Sequence, residues 1–118
     1  MIDMAFEKLV VWQHSMRLAQ SVYAVTKNFP YHEQFGLTSQ MRRAAVSVPS
    51  NIAEGSQRRS DKEFAGFLLI AKGSLAELRT QALLAEHLNY LQDNVAKTLM
   101  KQMIEIDKML RAFHRKLV

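Results

Sequence analysis

The sequence contains no cysteine. That excludes a disulfide framework, a thiolate metal site and a cysteine nucleophile, and it agrees with a reducing compartment. Only 4 glycines and 2 prolines punctuate 118 residues. A sheet protein of this size needs far more turn residues, so the shortage points to a few long segments. No apolar run is long enough to span a bilayer. The start, Met1-Ile2-Asp3-Met4-Ala5-Phe6-Glu7, has acids where a secretory signal has bases and then an apolar run. The expected location is cytoplasmic, with no membrane contact. Catalytic signatures are missing too. None of His14, His32, His87 and His114 follows a glutamate by three residues, the spacing used by carboxylate-bridged metal bundles. Lys72-Gly73-Ser74 lacks the glycine-rich lead-in of a phosphate loop. No metal, cofactor or enzymatic activity is expected.

What is present favours helix. Hydrophobic residues make up 48% and charged residues 23%, the balance of one ordinary globular domain over residues 1–118. The expected fold is all-α, an antiparallel up-down-up-down four-helix bundle with helices of about 22 residues. Helix one is expected over Phe6–Asn28, with Leu9, Trp12, Met16, Ala19, Tyr23 and Thr26 facing the core at steps of three and four. Trp12 reads as a core anchor, and the seven methionines as core filler. Phe29-Pro30 ends this helix. Helix two is expected from about Glu33 to Gly55-Ser56, with the stripe Leu37, Met41, Ala44, Val48 and Ile52 in phase across Pro49. An in-phase stripe across a proline predicts a kinked helix rather than two helices. Ser60-Asp61-Lys62-Glu63 has the form of a capping box for helix three. Its stripe is Phe64, Phe67, Leu68, Ala71, Leu75, Leu78, Ala82 and Ala85, and Asn89 is a candidate left-handed cap. Helix four starts around Gln92–Asn94 and carries Val95, Leu99, Met103, Ile106, Leu110, Phe113 and Leu117.

Three further rows are candidates for function. Gly36, Gln40, Arg43, Ser47, Asn51, Glu54 and Arg58 form a polar row beside the apolar stripe of helix two. Together with Glu77 they read either as a ligand site or as a structural polar seam, and structural ion pairing is the favoured reading. In that reading Arg43 or Arg58 donates to Glu54 or Glu77. Helix three has a second row, Gly66, Ile70, Gly73, Glu77, Leu84 and Leu88, which makes it apolar or small over more than half its circumference. A bundle helix needs less, so the row marks either an enclosed helix or a subunit contact. Helix four carries Lys97, Lys101, Lys108, Arg111 and Arg115 opposite its core stripe. Such a row either tracks a phosphate backbone or is simply a solvated face. The net charge of +5 permits acidic partners.

One run is more specific. Phe6-Glu7-x-Leu9-x-x-Trp12-Gln13 leads to Phe29-Pro30. Then Glu33-x-Phe35-Gly36-Leu37-x-x-Gln40-x-Arg42-Arg43-Ala44-Ala45-x-Ser47-Val48-Pro49-x-Asn51-Ile52-Ala53-Glu54-Gly55 forms the centre, followed by Phe64 and Gly73-Ser74-x-x-Glu77-Leu78. This pattern, over roughly Phe6 to Leu91, resembles the four-helix-bundle family called the 23S rRNA intervening-sequence protein. The last helix carries none of these motifs. The resemblance implies a four-helix bundle that assembles with copies of itself as a five-fold ring, without a known catalytic activity. The family name records where some of its genes lie, inside spacers of large-subunit ribosomal RNA genes. A more distant relative of similar shape works beside a reverse transcriptase in diversity-generating retroelements, as a basic ring taken to hold RNA and protein partners. The resulting expectation is a non-catalytic, homo-oligomeric basic scaffold that binds RNA or a ribonucleoprotein partner. The alternatives are a protein–protein adaptor without a nucleic-acid role and, last, a small-molecule-binding bundle or enzyme.

Overall fold

Four α-helices make the fold: α1 (Val10–Thr26), α2 (Leu37–Ser56), α3 (Asp61–His87) and α4 (Asp93–Leu117). Short 3-10 turns at Phe6–Lys8 and Tyr31–Glu33 precede α1 and α2. This computed structural model describes residues 5–118, so the acidic start at Met1–Met4 lies outside the described residues. The helices are unequal, with α3 the longest at 27 residues and α1 the shortest at 17. At 1.5 Å per residue α3 alone spans about 40 Å, which accounts for most of the 44 Å long axis.

Local chemistry sets the helix ends. The Ser60 Oγ accepts the Glu63 amide at 3.2 Å, as a capping serine should. The Glu63 carboxylate reaches one residue further back than a capping box requires and accepts the Arg59 amide at 3.2 Å. Asn89 has φ 63°, and the Tyr90 amide donates to the Ala85 carbonyl at 2.9 Å, so a left-handed residue closes α3. The short links 57–60 and 88–92 then turn α3 and α4 back along their predecessors. α2 runs unbroken through Pro49.

α2 and α4 each pack against both α1 and α3, whereas α1 and α3 sit across the diagonal without close approach. The shared core holds Leu18, Val22, Met41, Val48, Ile52, Phe64, Leu68, Leu75, Leu78, Met103, Ile106 and Leu110, all essentially inaccessible. No helix among the described residues is long and apolar enough to cross a membrane.

α1 with its N-cap keeps Leu9, Ala19 and Thr26 of the expected stripe in the core but departs from it at Trp12, Met16 and Tyr23. Leu9 is extended (φ −73°, ψ 124°), so the helix starts at Val10 rather than Phe6. Its buried positions are Val11, Ser15, Leu18, Ala19, Val22 and Thr26. Trp12 is half-buried, and Met16 and Tyr23 are exposed. Ser15, outside the expected stripe, and Thr26, inside it, both satisfy their hydroxyls within the core. Ser15 Oγ donates to the Val11 carbonyl and Thr26 Oγ1 to the Val22 carbonyl, both at 2.7 Å. With those hydroxyls paired, the core face rotates away from Trp12, Met16 and Tyr23. Trp12 instead meets Phe6 edge-on, with ring centroids 5.4 Å apart.

Candidate functional site

The polar row of α2 lies beside α3. Ser47 Oγ and Ser74 Oγ share a hydrogen bond of 2.8 Å across the two helices. Asn51 Nδ2 donates to the Ser47 carbonyl at 2.8 Å and to its Oγ at 3.0 Å. Gln40, Arg43 and Glu77 line the same small cleft as this serine pair. Arg43 pairs with no carboxylate among the described residues. Arg58 donates to Glu54 at 3.0 Å, but this pair is local to the end of α2 and the link that follows it, with side chains 44% and 56% exposed. Its guanidinium also covers the Phe67 ring at 4.7 Å. Gln81, buried one turn beyond Glu77, donates to that carboxylate at 3.3 Å. The charged members of this row therefore face solvent, and among the described residues its only hydrogen bond to α3 is the Ser47–Ser74 pair, with Arg58 reaching α3 through the Phe67 ring.

The basic row of α4 faces outward, and acids hold part of it. Lys97 pairs with Asp93 at 3.0 Å, and Arg111 with Asp107 at 3.2 Å. The Lys97 hydrogen bond, then its charge, lowers the Asp93 carboxyl below its ordinary range. Glu86 and Glu105 line the same trough as Lys97, Lys101 and Lys108. Lys101, Lys108 and Arg115 have no ion pair among the described residues.

Apolar side chains stay uncovered among the described residues, on two surfaces above all. Between α1 and α2, Trp12, Met16, Tyr23, Val46, Pro49 and Ala53 line an open groove of about 640 Å³. On α3 the second row faces solvent, with Ile70, Leu84 and Leu88 each about half exposed. A Cβ built at Gly66 or Gly73 would meet nothing within 4 Å. The row is thus not needed for packing within one bundle.

The connection between α1 and α2 is tied to the link between α3 and α4. The Glu33 carboxylate accepts the Leu37 amide at 3.1 Å and the Tyr90 hydroxyl at 2.9 Å. These bonds, the Leu37 amide first, pull the Glu33 carboxyl below its ordinary value, while Glu33 raises that of Tyr90. Phe29 and Tyr90 pack beside this anchor, with centroids 5.4 Å apart. Next to it Arg42 Nε donates to Thr26 Oγ1 at 2.9 Å, and its guanidinium lies 4.6 Å above the Tyr23 ring. The sequence rows had placed Arg42 in no stripe. A tertiary contact to α1 fixes it, and periodicity within α2 cannot report such a contact.

Residues 7–112, almost the whole bundle, match the 23S rRNA-intervening sequence protein family. The chain belongs to that family. Among solved structures it resembles a protein with unknown function from the S23 ribosomal protein family of Bacteroides thetaiotaomicron VPI-5482. The TM-score is 0.80 at 24% identity, over 89% of this chain and 98% of the other. That likeness is one of fold. No curated protein matches the chain. The intervening-sequence family match takes in the polar row of α2, Glu77, and Lys97, Lys101, Lys108 and Arg111 of α4, and stops before Arg115. It points to no catalytic family. Among the described residues no three metal-ligating side chains come together.

Proposed function

We propose that this intervening-sequence family protein is a non-catalytic subunit of a homo-oligomeric scaffold, a five-membered ring, whose basic outer face binds RNA or a ribonucleoprotein partner. The observation that carries the reading is a separation of surfaces. Uncovered apolar side chains lie in the α1–α2 groove and along α3, while the α4 row presents Lys101, Lys108 and Arg115 without ion pairs among the described residues. Assembly through the first surfaces leaves the second free. A ring joins two different surfaces head to tail, and a concave groove with a separate convex row supplies two. Five copies carry about +25 in total, so modest rows on separate subunits act together on one polyanion.

The test replaces Lys97, Lys101, Lys108, Arg111 and Arg115 with Gln and measures affinity for structured RNA at about 50 and 200 mM salt. Wild-type affinity should fall steeply with salt because binding releases counterions. The variant should bind weakly at both concentrations while its melting stays nearly unchanged, since the five side chains are exposed. A wild-type protein that ignores RNA even at low salt overturns the nucleic-acid part and favours a protein–protein adaptor.

A further inference from the structure

The cleft beside the α1–α2 connection differs from the α4 trough in three ways. It is walled in part by an aromatic ring in water: Phe35 is 89% exposed. It holds two arginines, Arg42 and Arg43, and no acid lines it. One arginine is already fixed in place. Arg42 uses Nε on the buried Thr26 hydroxyl and its flat face on Tyr23, so both Nη groups remain without a hydrogen-bond partner among the described residues. Arg43 also has no hydrogen bond or ion pair there. Gln34 and Ser39 add neutral donors and acceptors along the wall. The cleft measures about 560 Å³, within the size range of small-ligand sites.

An unsatisfied guanidinium fork fits a phosphate, and an exposed ring fits the face of a base. Exposed rings next to basic side chains are how proteins hold unpaired nucleotides, whereas a row of lysines alone only follows a backbone. We propose that this cleft binds an unpaired nucleotide of a single-stranded nucleic acid, with the base stacked on Phe35 and the phosphate held by the Nη groups of Arg42 and by Arg43. This inference rests on the nucleic-acid reading above but places base contact at the α1–α2 connection, away from the α4 row. Recognition is tolerant of base identity, because every base has a face to stack.

The test measures binding of labelled single-stranded RNA, single-stranded DNA of the same sequence, and duplex RNA to the intact protein. It compares wild type, Phe35→Ala, Phe35→Trp, Arg43→Gln and the five-residue α4 variant. Phe35→Ala should weaken single-strand binding about tenfold or more, and Phe35→Trp should retain it. Arg43→Gln should weaken binding and lower the salt slope by about one. The RNA and DNA arms report which sugar the site accepts, and tight binding of either supports the site. Single-strand binding that survives the α4 changes but not Phe35→Ala supports the cleft and removes the α4 row. Binding lost in the α4 variant but equal to wild type in Phe35→Ala and Arg43→Gln overturns the cleft and leaves the scaffold reading intact. A Phe35→Ala protein of reduced oligomer mass whose RNA affinity per subunit is unchanged also overturns it, because the ring then serves a subunit contact.

Discussion

At the residue scale, the two glycines Gly55 and Gly73 separate a tight site from a loose one. A methyl group at Gly55 would sit 2.6 Å from Phe67 Cβ and 2.9 Å from Phe64 Cδ1. Phe67 Cβ cannot swing aside, so the contact between α2 and α3 must open. Gly55→Ala should therefore lose about 1–2 kcal/mol in urea unfolding, overpacking outweighing the gain in helix propensity. Gly73→Ala meets open space and should gain up to about 1 kcal/mol, and the sign difference between the two is the check. Glu54→Ala tests the polar row. A buried pair would cost roughly 3–5 kcal/mol when broken. The exposed pair at the end of α2 predicts a change of only about 0.5 kcal/mol or less. Glu33 makes a pH-dependent contribution. Its carboxyl is lowered in the folded protein from an ordinary value of 4.5. The stabilisation is therefore fully present above that value and is lost as pH falls through the lower folded one. Glu33→Gln should melt below wild type at neutral pH, and the difference should shrink as the pH falls below about 4.5. A difference that is constant with pH would mean the charge plays no part.

At the element scale, α3 and α4 were the most legible from sequence and α1 the least. α3 combines a serine cap, an unbroken apolar stripe and a left-handed Asn89, so each local signal agrees with the packing. Ser60→Ala should cost about 1 kcal/mol through the lost bond to the Glu63 amide, read from chemical denaturation. α1 carries apolar side chains on two adjacent faces, and the larger ones, Trp12, Met16 and Tyr23, suggest the wrong one. Thr26 is buried as its place in the stripe predicts, but small Ser15 takes the core where Trp12 and Met16 were expected, because a self-satisfied hydroxyl is inexpensive to bury. Pattern counting treats a serine as polar whatever its hydroxyl does. The rows on α2 and α4 were readable as rows, since spacing alone places side chains on a helix face. Their partners were not. Asp93 and Asp107 capture Lys97 and Arg111 within α4, whereas Arg42 is held by Thr26 and Tyr23 of another helix. The exposure of Phe35 also needs the three-dimensional path of the connection, because an aromatic residue before a helix more often reads as core.

At the scale of the whole molecule, the bundle is closed around its own core but leaves the α1–α2 groove and the α3 row in water. Burial of these surfaces between copies would explain why α3 is apolar on two sides without a second core to fill. Met16→Lys and Leu84→Lys place a charge on one or the other, and both positions are exposed in the single bundle. Each substitution should lower the mass of the assembly while leaving the helical circular dichroism signal of the subunit intact. The most direct measurement is the molar mass of the wild-type protein in solution by light scattering during size-exclusion chromatography. One chain weighs 13.6 kDa, and a five-membered ring predicts a particle of about 68 kDa that persists on dilution. A particle of 13.6 kDa at every concentration would contradict the account.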